Sequence, residues 1–339
     1  MSVATDLKSA GFRERSVLPQ EDLPVLSVVV PVFNENEVLQ EFHFRLSSVL
    51  DRLSFPTEII YVNDGSSDPS LGTLWHLRAM DRRVAIVNLS RNFGKEIAVT
   101  AGLDQVRGEA AVVIDADLQD PPELIEQLVM KWREGYDVVY ATRRERRGET
   151  WFKKATASGF YRVMHSIGDV EIPQDTGDFR LLNRRCLDAL STCRERRRFM
   201  KGLFAWVGFN QASVSYDRAP RHAGSTKWSY WRLWNLAVEG ITSFTIAPLK
   251  AATYCGLATA LGAFIYGAYI VAITLIWGRV VPGYASLMVV MLFSAGAQLI
   301  AMGVIGEYVG RIFIEVKGRP LYVLEAYIPP RGVQEAPLG

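Results

Sequence analysis

The chain has 339 residues, 49% of them hydrophobic and 22% charged, and a formal net charge of +2. That length suits one sizeable α/β domain plus something smaller, and the near-neutral balance gives no global field for nucleic acid, so no nucleic-acid partner is expected. Three cysteines, Cys186, Cys193 and Cys255, are odd in number and irregular in spacing, which argues against a disulfide framework or a metal knuckle and fits reduced thiols.

Residues 1–24 are polar and charged, with no apolar core before Pro24, and read as a disordered or loosely attached lead-in rather than a signal peptide. From residue 25 onward, short β-branched apolar runs alternate with helix-length segments. The runs are Leu26–Val32, Glu58–Asn63, Val84–Leu89, Ala111–Asp115 and Asp137–Thr142; the segments include Glu35–Arg52 and Pro121–Glu134. This alternation predicts a mostly parallel sheet with helices on both faces, in a domain spanning 25–228. Ligands of such sheets sit at the carboxyl ends of strands, so the polar residues just after each strand are the candidates.

Over 229–249, Trp231, Trp234, Val238, Ile241 and Phe244 recur at steps of three and four, with Arg232, Asn235 and Glu239 opposite. The pattern predicts an amphipathic helix, lying in a lipid interface or packed on the soluble domain. Charge then disappears between Lys250 and Arg279 and again between Arg279 and Glu307. Each gap exceeds the ~20 apolar residues that cross a bilayer core, so 250–310 reads as two transmembrane helices, about 251–277 and 284–306. The link carries one cation, Arg279, whereas Lys250, Arg311, Lys317 and Arg319 flank the other side. The positive-inside tendency therefore places the large domain, and the 311–339 tail, in the cytoplasm at the plasma membrane. Gly296, Gly303, Gly306 and Gly310 permit close helix packing, and a homo-oligomer is expected on that basis.

Four polar segments follow the strands: Val32 to Glu35, Asn63 to Asp68, Ser90 to Lys95 and Asp115 to Asp120. There is no Gly-x-Gly-x-x-Gly fingerprint and no Walker loop, which counts against dinucleotides and ATP hydrolysis. Asp115 and Asp117 alternate at a strand end. Two such carboxylates call for a cation between them, and oxygen ligands suit Mg²⁺ or Mn²⁺, with Gln119 as a neutral ligand. Asp64 reads either as a turn former ahead of a helix cap or as a nucleotide contact.

Taken in order, Leu26-Ser-Val-Val-Val-Pro-Val-Phe-Asn-Glu35, Val62-Asn-Asp-Gly-Ser-Ser-Asp68, Ser90-Arg-Asn-Phe-Gly-Lys-Glu96 and Asp115-Ala-Asp-Leu-Gln-Asp-Pro-Pro-Glu123 resemble the family 2 glycosyltransferases. Asp175-Thr-Gly-Asp-Phe-Arg-Leu-Leu182 and Arg218-Ala-Pro-Arg-His-Ala-Gly-Ser-Thr-Lys-Trp228 narrow the resemblance to the polyprenyl-phosphate branch, the bactoprenol glucosyltransferase and dolichyl-phosphate mannose synthase group. Thr226 stands where that pattern has Ser, and a hydroxyl is kept. The resemblance covers about residues 25–325. It implies a GT-A (Rossmann-like) fold followed by a two-helix transmembrane hairpin, and inverting transfer of a sugar, with glucose from UDP-glucose as first choice, to a polyprenyl phosphate of undecaprenyl type. It implies a nucleotide-sugar site at Pro31, Asn34, Glu35, Asp64, Lys95, Asp115 and Ala116, and a metal at Asp117 and Gln119, with Asp115 near the ribose or the metal.

A departing nucleotide diphosphate builds negative charge, which a carboxylate-bound cation offsets. The acceptor phosphate has a second pKa near ~6 and is already a nucleophile at neutral pH, so a strong base is less needed than for a hydroxyl acceptor. Bringing two anions together calls for arginine and lysine. Arg143, Arg144, Arg146 and Arg147 follow the fifth strand; Arg180, Arg218, Arg221 and Lys227 come later. Arg218, Arg221 and Lys227, just before the interfacial helix, are the candidates for the acceptor phosphate. Arg143 suits either phosphate. Asp178, then Asp175, is the candidate catalytic base or donor-sugar contact, or else a capping or salt-bridging carboxylate beside Arg180. Arg194, Arg196, Arg197 and Arg198 read as a solvated or lipid-attracted face. Two other functions stay open: a non-enzymatic lipid carrier or flippase partner, and a polymer synthase with a hydroxyl acceptor.

Overall fold

The computed structural model describes residues 24–143, 176–196, 198, 200–216, 247–277 and 283–331. Five strands fall where the alternation puts them: β1 (Leu26–Val32), β2 (Thr57–Asn63), β3 (Val84–Leu89), β4 (Ala110–Val113) and β5 (Val138–Arg143). Helices α1 (Leu39–Leu50), α2 (Ser70–Met80), α3 (Lys95–Leu103) and α4 (Ile125–Arg133) separate them. Further on come β6 (Thr176–Asn183), α5 (Arg184–Thr192), α6 (Met200–Trp206), β7 (Gln211–Tyr216), two long helices α7 (Ala247–Trp277) and α8 (Tyr284–Val316), and β8 (Leu324–Ile328).

The eight strands make one sheet in the order β7-β5-β6-β4-β1-β2-β3-β8. Its centre, β4-β1-β2-β3, is parallel, and β5 pairs in parallel with β7; β6 and β8 run antiparallel to their neighbours. The parallel centre is buried on both faces, which is why its strands read as near-continuous apolar runs. Alternate residues of β1 serve opposite layers. Val28, Val30 and Val32 pack with Leu39, Phe42 and Leu46 of α1 and Leu128 of α4. Val29 packs with Ala98 and Val99 of α3, Leu187 of α5 and Leu203 of α6. Pro31, which has no N–H to give, stands where the β1–β4 ladder ends: the last bond on that side runs from Ile114 N–H to the Val29 carbonyl.

Several boundaries differ from the sequence expectation. The first helix starts at Leu39, not Glu35, because Asn34 takes φ +57 and its Oδ1 accepts from the N–H groups of Ser67 and Asp68, holding the intervening residues in a loop. The segment from Pro121 opens with a 3₁₀ turn, Pro122–Leu124, before α4. β4 stops at Val113, so Asp115 lies in the following loop rather than on the strand. The segment read as a tail from residue 311 first continues α8 to Val316 and then returns to the sheet as β8, against β3.

One buried ion pair locks the lower end of the sheet. Glu58, 2% exposed, accepts from Ser27 Oγ at 2.6 Å, Arg107 N at 3.0 Å and the Arg107 guanidinium at 2.9 and 2.5 Å. Arg107→Met is expected to cost about 3 kcal/mol in denaturant titration, because it strands a buried carboxylate. Glu58→Gln combined with it should recover part of that loss.

α7 and α8 pack on one another as a hairpin. Leu249–Ile276 and Leu287–Val316 have mean hydropathies of 1.9 and 2.1, long and apolar enough to span a membrane. α8 runs past the expected end at residue 306, and Glu307 and Arg311 pair on that extension at 2.9 Å. α7 begins at Ala247, inside the stretch assigned to an interfacial helix; residues 229–246 of that stretch lie outside the described residues, as does the 1–23 lead-in.

Candidate active site

The loops after β1, β2, β3 and β4 meet at one edge, as the parallel centre requires. The first two are tied directly: Asn34 N–H donates to Ser66 Oγ at 3.1 Å, Glu35 N–H to Ser70 Oγ at 3.0 Å and Asn36 N–H to Asp68 Oδ2 at 3.2 Å. The β2 and β3 loops are tied by Asp64, which is 3% exposed and accepts from Phe93 N–H at 2.7 Å and Gly94 N–H at 2.9 Å. Burial pushes the Asp64 carboxyl above its usual range, although those two N–H groups and Arg91 oppose the shift. Both readings of Asp64 thus meet at one place: it is a loop tie at the ligand edge, with both oxygens engaged by the backbone. Gly65 beside it has φ +64, and a Cβ there would lie 2.4 Å from the Arg91 carbonyl carbon.

The antiparallel register of β6 explains how a distant segment joins this edge. Val113 pairs with Arg180, so two residues on along β4 and two back along β6, Asp115 and Asp178 come side by side beyond the end of β4. Lys95, at the start of α3, bridges them: its Nζ donates to Asp115 Oδ2 at 2.6 Å and to Asp178 Oδ2 at 2.5 Å. Burial raises the Asp115 carboxyl, Lys95 opposes this, and Asp178 and Asp117 add to it. Burial also acts against the charge on Asp178, but Lys95 and Lys201 prevail and hold it at about 2. Asp178 is therefore an anion in this arrangement, held by Lys95. Among the described residues its Oδ1 is buried without a hydrogen-bond partner.

Asp117 Oδ1 accepts from the Gln119 N–H at 3.1 Å, and Leu118 between them sits at φ +57. Ala116 and Gln119 are buried, and Asp120 accepts from the Tyr216 hydroxyl. Among the described residues no three His, Cys, Asp or Glu side chains form a ready cation cage. Asp115 and Asp117 nevertheless fit a hard divalent cation, since Mg²⁺-type sites take one or two protein carboxylates and complete their shell with waters and substrate phosphates. Gln119 enters this loop through its backbone.

Two participants carry no clear signal in the sequence. Glu96 follows Lys95; burial first, and Asp178 second, push its carboxyl up to about 7, and it accepts from Met200 N–H at 3.3 Å. Lys201 on α6 donates to the Thr176 carbonyl at 3.0 Å and faces Asp178 electrostatically. Arg180, read as a phosphate cation, is instead packed inside: it is 4% exposed, lies 4.0 Å from the Phe204 ring, and burial lowers it to about 10. Of the basic run 194–198, Arg194 is exposed, as a solvated face requires, and pairs with Asp104 at 2.7 Å, whereas Arg198 is 7% exposed and donates to the Cys193 carbonyl, so it packs inside rather than on that face. Arg143 closes β5. Asp175, Arg218, Arg221 and Lys227 lie outside the described residues.

Residues 27–191 match the Glycosyl transferase family 2 model, and residues 247–312 match the GtrB C-terminal hairpin. An uncharacterized glycosyltransferase of Synechocystis sp. is 54% identical over 88% of this chain and 94% of its own length. A prophage bactoprenol glucosyl transferase homolog of Escherichia coli K12 is 45% identical over 88% of this chain and 98% of its own. The bactoprenol glucosyl transferase of Shigella phage SfII is 45% identical over 88% of this chain and 97% of its own.

Proposed function

Since the chain is a membrane protein that belongs to glycosyltransferase family 2, we propose that it transfers glucose from UDP-glucose, with inversion, to the phosphate of an undecaprenyl-type lipid at the cytoplasmic face of the plasma membrane. The observation that carries this is the length of the match. Relatives named for bactoprenol glucosyl transfer align over 97% or more of their own chains, sheet and hairpin together.

The site chemistry supports it. The nucleotide lies across the joined β1, β2 and β3 loops, over Pro31, Asn34, Glu35 and the loop tied by Asp64, reaching Ala116. Asp117 and Asp115, with Gln119, would hold Mg²⁺ or Mn²⁺, which neutralises the diphosphate leaving group. Lys95, exposed over 43% of its side chain, can turn from its two carboxylates to the diphosphate. Asp178, with Lys201 beside it, faces the sugar. The acceptor phosphate needs no strong base; Arg218, Arg221 and Lys227 guide it, Arg143 serves one of the two phosphates, and Asp175 is the second choice after Asp178 for the donor-sugar contact. Both hairpin ends return to the cytoplasmic side, and copies of the chain associate through the glycine-bearing face of α8. Crosslinking in membranes that yields monomer alone removes the last statement.

The test is transfer by the purified full-length protein in lipid, given radiolabelled UDP-glucose, GDP-mannose or UDP-N-acetylglucosamine, undecaprenyl phosphate and Mn²⁺. The expected product is an acid-labile lipid-monophosphate glucose from UDP-glucose. Nucleotide binding without any transfer would instead favour the non-enzymatic reading. Gly65→Ala should weaken UDP binding roughly tenfold by calorimetry, since a side chain at positive φ costs ~1–2 kcal/mol and would push the Asp64 and Arg91 loops apart.

A further inference from the structure

Glu325 is a residue of β8 with no counterpart on β3. The ladder steps from Asn88↔Ala326 to Leu89↔Leu324 and leaves Glu325 as the extra residue of a bulge. Bulges bend an edge strand and re-aim a side chain, and they concentrate beside active sites. Here the carboxylate is aimed at the sheet: Asn88 Nδ2 donates to Glu325 Oε2 at 2.8 Å. Asn63 Nδ2 in turn donates to Asn88 Oδ1 at 2.7 Å, and the Ser66 N–H donates to Asn63 Oδ1 at 3.3 Å.

The direction of this chain is set from both ends: the Ser66 N–H can only donate, and the Glu325 carboxylate accepts. Asn63 and Asn88 are 2% and 8% exposed, so each amide must satisfy both its ends from within. A side-chain amide can present either oxygen or nitrogen to a neighbour, whereas an ionised carboxylate only accepts. Glu325 therefore turns the Asn88 nitrogen toward itself. That turns the Asn88 oxygen to Asn63, and leaves the Asn63 oxygen facing the Ser66 N–H. Ser66 lies in the loop that also holds Asp64 against the β3 turn and Asn34 against β1.

We propose that Glu325 is a positioning residue: through Asn88 and Asn63 it sets the 64–66 loop for the nucleotide, and so links donor affinity to the strand that follows the membrane hairpin. The proposal rests on the reading that the nucleotide lies on this loop. It assigns a role to a residue outside the motifs that carried the resemblance.

The experiment is donor KM, kcat and melting temperature for the full-length protein in lipid nanodiscs. Glu325→Gln keeps an acceptor oxygen and is expected to stay within about twofold of the parent in KM. Glu325→Ala should raise donor KM roughly tenfold, the worth of one hydrogen bond to a charged acceptor, with kcat and melting temperature unchanged. Glu325→Lys presents only donors, sets a donor against the Asn88 nitrogen, and should raise KM further. Glutamine as damaging as alanine, a fall in kcat at constant KM, or losses that track the melting temperature would overturn the role of Glu325. A parent protein that transfers no sugar defeats the functional reading itself. A parent that transfers normally beside unaffected variants defeats this inference alone.

Discussion

Asp117→Ala is expected to lower sugar transfer about a thousandfold and to abolish its dependence on added Mn²⁺ or Mg²⁺. Asp117 acts on the charge of Asp115 just beyond the end of β4, and Asp115 already carries the Lys95 ammonium. Removing Asp117 leaves Asp115 to hold the cation without the second carboxylate of the pair. The loop should survive the change, since Leu118 stays buried and Asp120 stays bonded to Tyr216. The check is steady-state transfer together with Mn²⁺ titration in the presence of UDP. A variant that keeps even a tenth of the parental rate would end the assignment of Asp117 to the metal.

Lys95→Met should give two opposite effects. Lys95 neutralises Asp115 and Asp178 at 2.6 and 2.5 Å, where a divalent cation would also be drawn. Without the ammonium, Mn²⁺ binding in the absence of nucleotide should tighten severalfold, because two carboxylates in one place demand a cation. Transfer should nonetheless fall about a hundredfold or more, because no cation is left to turn toward the diphosphate as charge develops. Calorimetry and product formation read the two separately. Weaker Mn²⁺ binding together with parental transfer would show that Lys95 is only a structural tie.

The parallel centre of the fold was legible because both its faces are covered. Runs such as Val28 to Val30 and Ile59 to Val62 stay apolar without interruption, and the ligand edge follows from their direction. The segments that complete the sheet were not. β7, Gln-Ala-Ser-Val-Ser-Tyr, is exposed at alternate positions, and β8 is five residues long. The nearness of Asp178 to Asp115 depends on the β4–β6 register, which no local pattern encodes; only the resemblance singled out Asp178. Arg180 shows the converse: a positive side chain in a phosphate-rich site looks like a ligand contact from composition, and burial beside Phe204 makes it part of the floor. Glu96 and Lys201 matter only through what they sit beside, and Glu325 matters through a bulge, a feature that has meaning only once two strands are paired.

The pairing of β8 with β3 also fixes an order of events during synthesis. Asn88 and Glu325 are 237 positions apart, and both hydrophobic helices are made between them. The β3 side of the sheet therefore stays an open edge, with unpaired N–H and C=O groups, until the hairpin has emerged and the segment beyond it has folded back. Insertion into the bilayer and completion of the enzyme's core become one process, and a polypeptide released before the hairpin carries an adhesive strand edge into the cytosol.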